Sequence, residues 1–260
     1  VSPGQVAVGL RDLSFAYDAA GPKVLNEITV DIPAGHVTAL LGPNGSGKTT
    51  LLHLILGLLQ PLEGQVLLAG RPANTYSRRE VSRLLGLVPQ QEQVVFDIRV
   101  VEYVLLGRAP HLGLLQLPSE QDLAVVDEVL AATGLTRFRD RTVPSLSGGE
   151  KQLATIARAL AQHPGIFLLD EPTSHLDLGN RRRILGLMRS LTNDARTVIF
   201  TTNDPNSAAA ICDHAILMRD GNILAAGDID HALTATNLSA TYGVDVEVIE
   251  VHGRPLVVAR

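Results

Sequence analysis

Short apolar or alternating segments dominate the first third of the chain. Residues 6–17, 28–32 and 37–41 read as strands, and KTTLLHLILGLL at 48–59, apolar nearly all round, predicts a buried helix. After the Pro61 and Gly64 turn signals, 64–69 reads as a further strand. From about 77 to 162 the pattern changes to helical spacing, with loops around Gly107–Pro118. Leu123, Val126 and Leu130 recur on one face there, and Leu153, Ile156, Ala157 and Leu160 on another. Strand-like runs return at 166–169, 198–201 and 215–218, with a helix predicted over 179–191. Strands alternating with helices predict an α/β fold with a mainly parallel sheet, and the all-helical middle reads as an inserted subdomain. The tail alternates on both sides of His252–Gly253, which predicts a hairpin.

The chain has 260 residues, enough for a sizeable core, and 45% of them are hydrophobic. A formal net charge of −5 argues against broad nucleic-acid binding while leaving room for a local phosphate pocket. No apolar run approaches the roughly 18 residues needed to span a bilayer. The opening VSPGQVAVGLRD has no basic region followed by an apolar run, so no secretory signal is expected. Cys212 is the single cysteine and makes no metal set with His214; it reads as a small buried residue.

The chemistry concentrates in three segments. Gly42-Pro43-Asn44-Gly45-Ser46-Gly47-Lys48-Thr49 fits G-x-x-x-x-G-K-[ST] and stands between an apolar strand and a helix. Its glycines let the backbone wrap a phosphate with N–H groups pointing inward, and the helix adds its positive end. Lys48 supplies a charge for the β- and γ-phosphates, and the Thr49 hydroxyl is a candidate Mg²⁺ ligand. IFLLDE at 166–171 delivers Asp170 and Glu171 to a strand end, where ligands bind in open α/β sheets. Asp170 is a candidate Mg²⁺ ligand and Glu171 a candidate base for the attacking water. Ser145-Leu146-Ser147-Gly148-Gly149-Glu150 opens a helix with Ser147 as its N-cap.

In combination these motifs resemble the ATP-binding cassette (ABC) ATPases over about residues 6–235. GPNGSGKTT, Gln90 in VPQ, LSGGEKQ, IFLLDE and SHLD carry the resemblance. It implies one ABC ATPase domain over 1–260: a P-loop core at about 1–84 and 160–235 with an N-terminal antiparallel part, an inserted helical subdomain at about 85–159, and a C-terminal hairpin extension at about 236–260. It implies ATP and Mg²⁺ as ligands. ATP would be bound by Tyr17, stacked on adenine, and by the loop from Gly42 through Thr50; Mg²⁺ would be held by Thr49, Gln90 and Asp170. Gln90 would also meet the attacking water and join the two subdomains. Ser147, Gly148, Gly149 and Glu150 would act across a dimer on the ATP of a second copy. Ser174, His175, Leu176 and Asp177 would link the two active sites.

The family usually carries a histidine against the γ-phosphate where this chain has Asn203, in IFTTNDPN. Asparagine can donate a hydrogen bond but cannot carry charge or a proton. Either Asn203 serves as an equivalent, or ATP binding persists with slowed hydrolysis. With one cassette and no span, the expected partners are a second copy and a membrane-spanning permease. A periplasmic or lipid-anchored substrate-binding protein would act indirectly, and the chain would sit at the cytoplasmic face of the membrane. The permease would dock between core and helical subdomain, near Gln90 and Val94–Val101. VEYVLLGRAPHLG and DEPTSHLDLGN look most like ATPases of iron–siderophore, haem or cobalamin importers. Molybdate or tungstate importers are the nearest alternative. A soluble ABC ATPase acting on nucleic acid or the ribosome is a further one, disfavoured by the missing coiled coil, zinc cysteines and second cassette. Arg181-Arg182-Arg183 reads as a solvated helix face.

Overall fold

The computed structural model describes residues 5–113, 115–174, 176–251 and 253–260. In chain order the strands and helices are β1 (Val6–Phe15), β2 (Leu25–Pro33), β3 (Val37–Leu41), α1 (Lys48–Ile55), β4 (Glu63–Leu68), β5 (Arg71–Pro72), α2 (Arg78–Leu84) and β6 (Leu85–Val88). The middle of the chain gives α3 (Val100–Leu105), α4 (Glu120–Ala132) and α5 (Gly148–Ala161). Then follow β7 (Ile166–Leu169), α6 (Leu178–Leu191), β8 (Thr197–Thr202), α7 (Pro205–Ile211), β9 (His214–Arg219) and β10 (Asn222–Asp228). The chain closes with α8 (Ile229–Ala232), α9 (Ala235–Tyr242), β11 (Val246–Val251) and β12 (Arg254–Ala259).

Three sheets result. The N-terminal one is antiparallel, in the order β2-β1-β4-β5. The central one runs β10-β9-β3-β8-β7-β6, parallel except for β10. β11 and β12 pair as the predicted hairpin, with Val251 opposite Arg254. His252 lies outside the described residues.

The central strands are apolar on both faces because both are covered. Val37, Ala39 and Leu41 of β3 face one core with Phe167 and Leu169 of β7 and the inner side of α5. Leu40, Ile166 and Leu168 face the other, with Leu51, Leu52, Leu54 and Ile55 of α1 and the antiparallel sheet beyond. That explains why α1 is apolar all round: it is packed between two sheets. It is shorter than expected, capped at Leu56 before Gly57 takes φ 73°.

Two expectations need revision. The middle is not wholly helical, because β6 joins the central sheet beside β7. The helical stretch therefore begins after Val88 rather than at residue 85. The triple arginine is only partly a solvated face. Arg181 lies 3.3 Å from Asp204 and Arg183 donates to the Thr133 carbonyl at 2.6 Å.

The registers align the strand ends. Leu41 pairs with Thr202, Leu169 with Phe200, and Val88 with Leu169. The chain thus leaves β3, β6, β7 and β8 along one edge of the sheet, and all four exits carry candidate chemistry.

Candidate functional site

Gly47 takes φ 99° as the N-cap of α1, and a Cβ there would lie 2.6 Å from Leu25 Cδ2. Only glycine meets both demands, so the loop can turn tightly into the helix. Lys48 folds back over the loop, its Nζ donating to the carbonyls of Gly42 and Pro43 at 2.8 and 2.9 Å. Burial lowers its pKa from the usual lysine value, opposed by the nearby carboxylates of Glu171 and Asp170. Ser46, 2% exposed, has a buried Oγ with no hydrogen-bond partner among the described residues. A buried ammonium held only by carbonyls and an orphaned hydroxyl in one loop fit a phosphate ligand.

Asp170 and Glu171 divide at the end of β7. The Asp170 carboxylate accepts from Thr49 Oγ1 at 3.0 and 2.9 Å and from Thr201 Oγ1 at 2.6 Å. A threonine hydroxyl beside a buried carboxylate is a hard, all-oxygen donor pair of the kind Mg²⁺ uses together with nucleotide phosphates. Among the described residues no set of three His, Cys, Asp or Glu side chains forms a metal cage, and a Mg²⁺ completed by phosphates needs none.

Glu171 sits at φ 43°, a left-handed conformation rare for a residue with a Cβ. Several bonds hold it there. Its N–H donates to Thr201 Oγ1 at 2.8 Å, and its carbonyl accepts from Ser174 N and Oγ at 3.1 and 3.0 Å. The turned backbone sends its side chain to Gln90, whose Nε2 donates to Oε2 at 2.9 Å. Backbone strain maintained by surrounding bonds is found where a side chain must be aimed. Thr201 is the member that sequence reasoning missed. It bonds both acidic residues from β8, and its only signal is a polar pair, Thr201 and Thr202, ending an apolar strand.

Tyr17 is 68% exposed, set edge-on against Phe15, with its hydroxyl 3.0 Å from Thr50 Oγ1. Its ring is thereby tied to the phosphate loop with a face free to stack. Asn203 follows β8 and is exposed, with no side-chain hydrogen bond among the described residues. Ser147 caps α5 reciprocally with Glu150, which accepts from Ser147 N at 2.8 Å. Behind that turn, a Cβ on Gly149 would lie 2.5 Å from Asn180 Nδ2, so the first turn of α6 packs against it. Asp177 caps α6, accepting from Asn180 N at 2.8 Å, and Leu176 packs on the core. His175 lies outside the described residues.

One chain thus brings Thr49 to Asp170 and Gln90 to Glu171. No hydrogen bond among the described residues joins the Ser147–Glu150 turn to that group. Ser147, Gly148 and the Glu150 cap stand at an exposed helix N-terminus, apart from that group.

A groove of about 1330 Å³ opens on another side, where core and helical stretch meet. Leu58, Leu59, Tyr76, Leu87, Leu106 and Pro110 line it. Pro89 and Glu92, on either side of Gln90, reach this groove. Val94 and Val95 border a separate, smaller hollow with Val143 and Lys151.

The sequence profile described as ABC transporter matches residues 25–174. The ferric enterobactin transport ATP-binding protein FepC of Escherichia coli is 40% identical over 90% of this chain and 88% of its own. The cobalamin import ATP-binding protein BtuD of Halobacterium salinarum is 38% identical over 89% of this chain, which spans 58% of that protein's length. A solved structure described as a metal-chelate type ABC transporter in an inward-facing conformation superposes with a TM-score of 0.85 at 32% identity, covering 98% of each chain. With the phosphate loop, the paired acids and the capped LSGGE helix assembled on this fold, the chain belongs to the ABC transporter family as an ATP-binding subunit, an ATPase.

Proposed function

We propose that the chain powers a membrane importer for a metal chelate, namely a ferric siderophore, haem or cobalamin. The groove between core and helices carries this reading. A nucleotide site alone would suit any ATPase. A large groove with Leu58 65% and Leu106 51% exposed offers in addition a seat for a short helix from a membrane-spanning partner. No helix among the described residues is long and apolar enough to cross a membrane. In this reading the permease supplies the path, the chain rests on its cytoplasmic side, and a substrate-binding protein delivers cargo outside. The named relatives and the metal-chelate structure support the choice of cargo.

The chemistry follows from the site. The β- and γ-phosphates of ATP lie along Gly42–Thr49, where Lys48 exchanges its carbonyl partners for phosphate oxygens. Thr49, Asp170 and Gln90 would hold Mg²⁺, which would supply charge neutralisation at those oxygens. Glu171 accepts the proton of the water that attacks the γ-phosphate, and Gln90 keeps its carboxylate aimed. Tyr17 stacks on adenine, and Asn203 donates to the γ-phosphate. The turn at Ser147–Gly149 of a second copy, next to its Glu150, closes over the same phosphate. Ser174–Asp177 of each copy border the other's site. Two ATP molecules join the copies, hydrolysis separates them, and the permease in the groove is moved each time.

The test is transport. In vesicles with its permease, the chain should drive ATP-dependent uptake of an iron chelate, haem or cobalamin. Uptake of manganese or molybdate instead would overturn the cargo assignment. Replacing Leu58 and Leu106 together by Asp should abolish copurification with the permease and leave ATP binding intact; retained copurification would overturn the groove's role.

A further inference from the structure

The C-terminal elements are braced against the turn that carries Asn203. Asp204 follows it and caps α7, accepting from Asn206 N at 3.0 Å and from Ser207 Oγ at 2.7 Å. The first turn of α7 is then fixed by the hairpin. Asn206 Nδ2 donates to the Val257 carbonyl at 3.0 Å, and Val257 N donates to Asn206 Oδ1 at 2.8 Å. A primary amide has one donor side and one acceptor side, so it pairs with a strand edge as a neighbouring strand would. Arg254 of β12 adds a bond to the Ala209 carbonyl in α7 at 3.3 Å. α9 closes the arrangement from the side. Tyr242 packs on the main core, and its buried hydroxyl has no hydrogen-bond partner among the described residues. It lies near the Gly42 amide and the Asp204 carboxylate, and burial, reinforced by Asp204, raises its pKa. The hairpin therefore braces α7 directly after the turn that follows β8.

We propose that Asn206 is a positioning residue for ATP cleavage: by clamping α7 to β12 it fixes the backbone from which Asn203 reaches the γ-phosphate. This rests on the reading that Asn203 faces that phosphate. Asn203 makes no side-chain bond of its own among the described residues, so its placement depends on the backbone on either side. β8 fixes the upstream side; downstream, Asp204 is held by its bond to Thr202 Oγ1 and its pairing with Arg181, and the Asn206–Val257 clamp holds the turn that follows. A neutral amide is a weaker donor than a charged imidazole, so its distance to the phosphate matters more. A displacement of about 1 Å can cost on the order of 100-fold in rate.

A double-mutant cycle on the complex with permease tests this. Steady-state kcat, KM for ATP and melting temperature are measured for the parent chain, Asn206→Ala, Asn203→Ala and the double variant. Asn206→Ala should lower kcat about tenfold with KM within about twofold. The double variant should turn over no more slowly than Asn203→Ala alone, because the clamp then has nothing to position. Additive losses, a raised KM at constant kcat, or an unchanged kcat in Asn206→Ala would overturn the proposal. If Asn203→Ala itself leaves kcat unchanged, the γ-phosphate reading fails and the proposal with it. A loss in Asn203→Ala without one in Asn206→Ala overturns the proposal alone. Should Asn206→Ala not fold, the isosteric Asn206→Asp keeps the acceptor for Val257 N and loses the donor to the Val257 carbonyl. The same cycle with Asn203→Ala then supports or overturns the proposal by the same pattern of rates.

Discussion

Gln90 Nε2 donates to Glu171 Oε2 at 2.9 Å, and the two residues leave the sheet from neighbouring strands, β6 and β7. Gln90 begins the segment leading into the helical stretch, and Glu171 ends the strand carrying both acids. A shift of the helices against the core would therefore be felt at the carboxylate. Gln90→Ala should lower kcat about 10- to 100-fold with at most a few-fold loss of ATP affinity, since Thr49 and Asp170 remain to hold Mg²⁺ and Lys48 to meet the phosphates. Paired turnover and nucleotide titration check this; weakened ATP binding at full kcat would contradict it.

Lys48 holds a formal charge against two carbonyls in a buried setting, an arrangement that nucleotide phosphates improve. Lys48→Ala should weaken ATP binding at least tenfold and remove turnover. Isothermal titration with ATP is the measurement. Unchanged affinity would mean that the loop does not hold the phosphates.

Asn203 offers a donor without a charge. Asn203→His should raise kcat about tenfold at saturating ATP and leave ATP affinity near the parent value. Loss of one well-placed donor costs about 10²–10³ at comparable sites, and the amide retains part of that. Equal rates for the two chains would show that the amide suffices.

Much of the site is legible along the chain because its parts are local. The phosphate loop is one continuous turn, both acids end one strand, and the LSGGE helix announces its own cap. What escapes the sequence reading is long-range. Thr201 matters because β8 lies beside β7, which its own neighbours do not reveal. β6 hides as four residues following α2 without a turn, and Gly86 interrupts its apolar run. The tail alternates and pairs as expected, yet nothing in the alternation shows that Asn206 would grip Val257 from 51 residues away. Helical spacing likewise locates α4 but not its anchor. Asp122 at its first turn pairs with Arg108 at 2.9 Å and accepts from Ser119 Oγ at 2.7 Å.

That anchor has a consequence for stability. The hydrogen bonds from Ser119, then Arg108, hold the Asp122 carboxyl down to about 2. The folded value lies below the unfolded one of about 3.9, so its contribution is complete above about pH 4 and is lost as pH falls through about 2. Asp122→Ala leaves Arg108, only 12% exposed, with the Ala161 carbonyl but no carboxylate to balance its charge. It should cost about 3 kcal/mol and lower Tm by about 5–10 °C at neutral pH. Thermal melts from pH 7 to pH 2 should show the gap between parent and variant closing in acid. A constant gap would contradict the assignment.

The proposed cycle depends on Glu171 acting as the base of a site completed by a second copy. The direct measurement is phosphate release by the permease-bound complex at saturating ATP and Mg²⁺, with Glu171→Gln beside the parent chain and size-exclusion chromatography of the permease-free chains under the same conditions. Glutamine keeps the shape but cannot take the proton. The variant should therefore lose at least about 10²-fold in rate and accumulate as an ATP-bound dimer. Phosphate release at the parent rate, or a variant that stays monomeric with ATP, would contradict it.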